Sequence, residues 1–185
     1  MERIIEINWN NFRAKFNGKE QKSFEWLCYL LFCNEFSVNT GILRYKNQAG
    51  IETNPIEVAG KKIGWQAKFY DKRLSEHKSD FIESINKTKN RYPELNKIIF
   101  YTNRDFGQGK INNDPQYKIE IENHAQTKNV EIEWRTTSFF ESPFVCEKNT
   151  NIAQHFFSLD KSIIDFIGEL KQHTESILTT IHSTI

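Results

Sequence analysis

Residues 50–70 read GIETNPIEVAGKKIGWQAKFY, and the rest of the chain is organised around them. Its pattern predicts two short strands joined by a tight turn at residues 59–62. The first predicted strand carries Glu52, and the second carries Gln66 and Lys68. Because alternate residues of a strand point to the same face, we expect Gln66 and Lys68 to share a polar face that Glu52 reaches across the hairpin. The opposite face is apolar and carries Ile63, Trp65, Ala67 and Phe69.

The segments around this hairpin predict an α/β fold, with a mixed sheet and helices on both faces. Before the hairpin, the apolar periodicity of residues 23–36 predicts a buried helix that carries Glu25 near its start. After it, residues 74–92 predict an amphipathic helix, and residues 97–103 predict an inner strand. This strand–helix–strand order implies a crossover and parallel pairing. The other predicted elements are a helical face at Trp9, Phe12 and Phe16, a weak strand at 36–45, a helix at 115–127, a strand at 130–134 and an irregular region at 136–158.

The chain has 185 residues, a length that suits one full domain with an appendage. We expect residues 1–145 to form the domain and residues 146–185 to form a helical extension or linker. From residue 159 onward, apolar residues follow one helical stripe: Ile163, Ile167, Leu170, Ile177 and Ile181. Such a helix either packs on the domain, forms an oligomer contact or leads into a further portion of a longer protein.

Charge and cysteine content narrow the functional classes. The net charge of +1 gives no basic excess of the kind that marks a high-affinity DNA-binding protein, although it leaves room for a nuclease whose charge is concentrated in one cleft. The three cysteines show neither a C-x-x-C pair nor zinc-ligand spacing, and their odd number favours a reducing compartment. We expect Cys28 and Cys33 simply to pack in the core. With no signal-peptide pattern and no apolar run of about 20 residues, the sequence predicts a cytoplasmic protein.

The polar face of the hairpin has the composition of a metal-dependent phosphodiesterase site. Carboxylate and carbonyl oxygens are the ligands that Mg²⁺ prefers, and Mg²⁺ retains several waters, so that two or three protein ligands suffice. A nearby lysine orients the attacking water or neutralises the charge that develops on the phosphate. Glu52, Gln66 and Lys68 therefore predict a divalent metal held beside a phosphate.

Three short motifs resemble the PD-(D/E)xK nuclease superfamily, and most closely its Mrr-like restriction endonuclease branch. They are Phe24-Glu25, Gly50-Ile51-Glu52 and Gln66-Ala67-Lys68, and the resemblance covers roughly residues 20–135. It implies that Glu52 is the principal metal ligand, that Gln66 and the Ala67 carbonyl complete the metal site, that Lys68 is the catalytic lysine, and that Glu25 assists from the helix. Two departures stand out, because Glu52 occupies a position where Asp is commoner and Gln66 replaces the acid of the parent motif.

The resemblance also implies a function and its partners. It predicts a Mg²⁺-dependent endonuclease, with Mn²⁺ as an alternative ion, that cleaves double-stranded DNA. Mrr-like domains of this kind resemble the N-terminal effectors of bacterial antiphage proteins, including STAND-type ATPases that oligomerise, so we expect a homo-oligomer. Two alternatives remain open: a catalytically silent copy of the fold that serves as a binding or oligomerisation module, and a nuclease that acts on RNA or single-stranded DNA. The cations that flank the site and could hold phosphates are Lys61, Lys62, Lys72 and Arg73.

Overall fold

The computed structural model describes residues 5–38, 50–109 and 114–159. These residues form a sheet of four strands in the order β1-β2-β3-β4, with helices packed on it. The elements before the crossover are α1 (Trp9–Lys15), α2 (Glu20–Glu35), β1 (Ile56–Val58) and β2 (Lys61–Lys68). The later elements are α3 (Lys78–Arg91), β3 (Lys97–Thr102), α4 (Gln116–Thr127), β4 (Glu131–Arg135), α5 (Thr137–Phe140), α6 (Pro143–Cys146) and α7 (Thr150–Phe157).

The sheet is mixed, as predicted. β1 pairs antiparallel with β2, whereas β2, β3 and β4 run parallel to one another. The register places Lys68 beside Thr102, so β2 and β3 end at the same edge of the sheet. Helix α3 provides the crossover between these two strands, which confirms the predicted parallel pairing.

The two faces of the sheet are buried against different helices, which confirms the predicted layers. On one face, Trp65 and Tyr101 pack with Phe24 and Phe32 of α2. On the other, Phe100 of β3 packs with residues of α3 and α4, among them Phe81, Ile85 and Ile121. Cys28 and Cys33 are buried in the first cluster, as expected, and neither forms a disulfide bond. Within residues 5–38, 50–109 and 114–159, no helix is both long enough and apolar enough to cross a bilayer.

Two predictions about the hairpin are wrong in detail. The turn is only the pair Ala59-Gly60, with φ of 49° and 76°, and Lys61 and Lys62 already belong to β2. Positive φ at both central residues is the backbone of a two-residue turn whose twist matches that of the strands. Glu52 does not lie on the first strand but in a bend before it, and β1 begins only at Ile56. Pro55, which lacks an N–H, precedes that start and cannot donate to the ladder.

The region after β4 is more regular than predicted. Residues 136–158 contain the short helices α5, α6 and α7, and α6 begins with Pro143, a residue favoured at the first position of a helix. The described part of the predicted extension packs on the domain, because Phe156 and Phe157 of α7 are buried against Phe12. The weak strand predicted at 36–45 lies outside the described residues beyond Val38, as does the helical stripe beyond Leu159.

The helix predicted at 74–92 forms, but its first turn is tighter than an α-helix. Residues Leu74–His77 make a 3₁₀ turn, and α3 follows directly at Lys78. The helix ends at Arg91, before Tyr92 and Pro93. This turn leads the chain away from the end of β2, so the loop before it lies beside Lys68.

Candidate active site

The edge of β2 beyond the end of β1 holds Glu52 in a fixed position. The Glu52 backbone N–H donates to the Trp65 carbonyl oxygen at 2.9 Å. On one side of Glu52, Ile51 is fully buried, and on the other, Thr53 is fully buried and its Oγ1 accepts a hydrogen bond from the Trp65 indole at 3.0 Å. The backbone around Glu52 is therefore held to β2 by bonds and packing on both sides.

Two glycines make this arrangement possible. Gly50 has φ of 92°, and a Cβ at this position would lie 2.3 Å from the Thr88 Oγ1 and 2.6 Å from the Thr88 backbone nitrogen. Gly64 lies beneath Ile51, and a Cβ there would lie 2.9 Å from both the Cδ1 and the Cγ2 of Ile51. The Gly-Ile part of the motif thus packs the bend against α3 and across β2, and Glu52 follows directly.

Gln21 connects the acid of α2 with the carbonyl group of the Gln-x-Lys motif. Its Nε2 donates to the Glu25 Oε1 at 2.9 Å and to the Ala67 carbonyl oxygen at 2.9 Å. Its Oε1 accepts a hydrogen bond from the Phe69 N–H at 2.8 Å. Gln21 was not predicted as a site residue, although it lies one helical turn before Glu25, on the same face of the helix. Gln21 therefore connects Glu25 to the Ala67 carbonyl through its own side-chain amide.

Gln66 places a buried oxygen on the face of β2 that is turned toward α3. The residue is only 8% exposed, and its Oε1 is buried without a hydrogen-bond partner in the part of the chain that the structure describes. Leaving such an oxygen unpaired costs about 1–3 kcal/mol, so an unpaired buried group in a folded protein requires an explanation. An amide oxygen is a suitable ligand for a hard cation, and Gln66 therefore fits the role of a metal ligand.

Lys68 lies two residues further along the same face and has acidic neighbours. Burial lowers the pKa of its ammonium group, while the negative charges of Asp80, Glu52 and Glu83 oppose that shift. Among the described residues, the Lys68 side chain makes no hydrogen bond or direct ion pair, so these carboxylates act on it across space. A buried lysine with a lowered pKa exchanges a proton more readily than one on the surface. Asp80 and Glu83 were not predicted as site residues, because nothing in the sequence shows which face of α3 meets β2.

The charges of both Glu25 and Glu52 act on the buried thiol of Cys28. Its thiol is fully buried on α2, and burial raises its pKa, with further increases from the charges of Glu52 and Glu25. One thiol therefore lies within electrostatic range of both carboxylates. Cys28 itself packs in the core cluster between α2 and the sheet.

The structure divides the four flanking cations into two pairs. Lys61 and Lys62 lie at the start of β2, roughly 20 Å along the strand from Lys68 at about 3.3 Å per residue, and they pair with Glu131 and Glu94. Lys72 and Arg73 belong to the exposed loop that follows β2, four and five residues after Lys68. Only the second pair is placed to hold phosphates near Lys68.

The candidate ligands are few but chemically consistent with a hard cation. Within the described ranges, no cluster of three or more His, Cys, Asp or Glu side chains is arranged to hold a metal. The candidate set instead combines the Glu52 carboxylate with the Gln66 amide oxygen and the Ala67 carbonyl oxygen, and Glu25 lies beside the last of these. These are all oxygen donors, which suits Mg²⁺ or Mn²⁺ better than a softer ion.

Comparison with known families finds no family model that matches the chain, and comparison with curated proteins likewise finds no match. The candidate site therefore rests on its own residues and geometry.

Proposed function

We propose that this chain is a metal-dependent endonuclease that hydrolyses phosphodiester bonds of double-stranded DNA. The ligands of its Mg²⁺ or Mn²⁺ are Glu52, the Gln66 Oε1 and the Ala67 carbonyl oxygen. The observation that carries this proposal is the Gln66 Oε1, which is buried without a partner in the described structure, on the strand that also supplies Lys68. A metal bound at Gln66 would pair this oxygen, which the described residues leave unpaired.

Each residue has a distinct role in this proposal. Bound at these ligands, the metal supplies Lewis-acid stabilisation of the phosphate charge. Lys68, whose pKa is lowered by burial, orients the attacking water and exchanges a proton with it. Glu25 acts from α2 on the ligand shell, and Gln21 holds Glu25 and the Ala67 carbonyl at a fixed separation.

The proposal extends to the biological setting. We propose that the domain acts in the cytoplasm as the effector of a bacterial antiphage protein of the STAND type, and that homo-oligomerisation activates it. The net charge of +1 supports this, because a single copy attracts the DNA backbone only weakly. Several copies held together sum such weak contacts into a useful affinity.

Plasmid cleavage tests the proposed activity. With Mg²⁺, the purified chain should nick or linearise supercoiled plasmid, and the rate per protein should rise with protein concentration as the chains assemble. Lys68→Ala should lower the rate by at least about 100-fold, which is the usual size of a lost general acid–base contribution. Lys61→Ala, a change of the same kind at the far end of β2, should cleave like the parent. If Lys68→Ala cleaves as fast as the parent, the proposed site is wrong.

A further inference from the structure

A groove of about 650 Å³ opens at the ends of β2 and β3, directly after Lys68. One wall is the loop from Asp71 through Glu76, and the other is formed by the loop from Arg104 through Gln108 and by Tyr117. In open α/β sheets, ligands bind outside the carboxyl ends of the strands, which is where this groove lies. The lining of the groove begins at Asp71, three residues after Lys68 along the chain.

Two arginines of the groove form no ion pair with a carboxylate of the described residues. Asp71 pairs with Arg13, and Lys72 pairs with Glu76 at 3.3 Å. Arg73 is exposed and has no ion pair with any described residue, and Asp105 is the remaining acid. The cations that stay available to a ligand are therefore Arg73 and Arg104.

Arg104 is held rigidly in the groove wall. Its Nε donates to the Tyr70 carbonyl oxygen at 3.0 Å, and a terminal nitrogen donates to the Asp71 carbonyl oxygen at 2.6 Å. A guanidinium group has five N–H donors, so the others remain available. Asn103, which is 4% exposed, fixes the same segment by bonding to both the N–H and the carbonyl oxygen of Tyr70. The positive charge at the start of the groove is therefore fixed in position relative to Lys68.

We propose that this groove binds the sugar–phosphate backbone of the nucleic acid next to the cleaved bond, with Arg73 and Arg104 contacting phosphates. The proposal rests on the proposed nuclease function and deepens it, because it assigns the surface that holds the substrate. Arginine suits this role because its planar fork matches a phosphate group. The contacts are to the backbone, so the groove contributes affinity and not sequence preference.

Binding is best measured without divalent metal, so that the substrate stays intact. A fluorescein-labelled DNA duplex and an RNA duplex of the same sequence are titrated with the full chain, and anisotropy is read at several salt concentrations. The charge reversal Arg73→Glu should raise the Kd about tenfold and reduce the salt dependence by about one phosphate contact. Arg73→Lys, which keeps the charge, should retain most of the binding.

Lys128→Glu is the matched control, because it makes the same change of charge at an exposed residue just before β4, at the opposite edge of the sheet. It should change the Kd less than twofold. The proposal is supported if Arg73→Glu weakens the binding of the DNA duplex and Lys128→Glu does not, whereas tighter binding of the RNA duplex than of the DNA duplex would contradict DNA as the substrate. Equal effects of Arg73→Glu and Lys128→Glu on the Kd would contradict the proposal that the groove binds the substrate backbone.

Plasmid cleavage by the same proteins separates the two proposals. Suppose that the parent cleaves plasmid and Lys68→Ala does not, but Arg73→Glu binds DNA as tightly as Lys128→Glu. In that case the groove does not bind the substrate, and the nuclease function stands. If the parent binds neither duplex and does not cleave, both proposals fall. The thermal midpoint of each variant should match that of the parent, since both substituted side chains are exposed.

Discussion

Gln66 occupies the position at which the parent nuclease motif carries an acid, and this difference sets the strength of the proposed metal site. A neutral amide binds a divalent ion less strongly than a carboxylate does, so Glu52 supplies most of the charge in the ligand set. The amide also avoids a second buried negative charge near Glu52, which would cost stability whenever no metal is bound. On the proposed function, Gln66 favours stability of the metal-free protein at the expense of metal affinity.

We predict that Gln66→Glu makes stability depend more strongly on metal. Without metal, the buried carboxylate should lower the free energy of unfolding by about 1–3 kcal/mol, because it is desolvated and repelled by Glu52. In saturating Mn²⁺, Gln66→Glu should bind the ion more tightly than the parent does. Each tenfold gain in affinity should raise the free energy of unfolding by about 1.4 kcal/mol. Thermal unfolding with Mn²⁺ and with a chelator measures both effects.

The control for this prediction is Gln126→Glu, which makes the same substitution at an exposed position of α4. Its thermal midpoint should respond to Mn²⁺ no more than that of the parent. If Gln66→Glu also shows only the response of the parent, Gln66 does not face a metal.

Among single residues, the sequence motifs singled out the candidate ligands but not the residues that support them. Gln66, Ala67 and Lys68 lie in the second half of β2, Glu52 bonds to Trp65 there, and Gln21 connects Glu25 to the Ala67 carbonyl. The residues that hold them, Gln21 and Asn103, were not predicted. Both are amides that bond to the backbone of the β2 segment from its two edges, and a single amide in a sequence does not reveal which strand it meets.

At the scale of elements, the hairpin and the bend before it form one positioning unit. β1 is only three residues long, so it pairs with only the first part of β2. The free edge that results accepts the Glu52 N–H at Trp65 and the Gln21 amide at Ala67. A longer first strand would have covered this edge, and the Ala67 carbonyl would then have been used in the ladder.

We predict that Gly64→Ala disturbs this unit. The added methyl group would meet Ile51 at 2.9 Å and Leu95 at 3.0 Å, and both of these side chains are fully buried. Overpacking of this kind costs about 1–3 kcal/mol. Because Ile51 adjoins Glu52, the substitution should also lower the rate of DNA cleavage. Urea unfolding and the plasmid assay measure the two effects.

Gly107→Ala provides the comparison, since a Cβ at Gly107 meets nothing within 4 Å and no positive φ is involved. It should leave stability unchanged or raise it by up to about 1 kcal/mol through the unfolded chain. Equal stability of Gly64→Ala and Gly107→Ala would mean that Ile51 does not pack across β2 as described.

The elements that sequence patterns predicted well are those with strong periodicity. Helices α2, α3 and α4 and strands β2, β3 and β4 all form within a few residues of their predicted bounds. The predictions were wrong where local backbone geometry, and not periodicity, determines the structure. These places are the two-residue turn, the late start of β1 after Pro55, and the three short helices after β4. Those helices are four to eight residues long, too short for a periodic pattern to show.

In the molecule as a whole, the fold places Arg73 and Arg104 at one end of the sheet, although the net charge of the chain is nearly neutral. The apolar clusters on the two faces of the sheet fix β2 and β3, and both strands end beside the groove that carries Arg73 and Arg104. The cations at the other end of β2 are paired with Glu131 and Glu94. Composition alone did not reveal this separation, because the net charge of +1 averages over both ends.

Metal binding is the sharpest test of the proposed site, because it requires neither substrate nor assembly. In titration calorimetry with Mn²⁺, we predict that the parent chain binds a metal and that Glu52→Ala weakens this binding at least about tenfold, since it removes the main carboxylate ligand. Glu57→Ala, at an exposed position of β1, should bind like the parent. If the parent binds no metal, or if Glu52→Ala binds as tightly as the parent, the site is not a metal centre and the fold serves as a catalytically silent module.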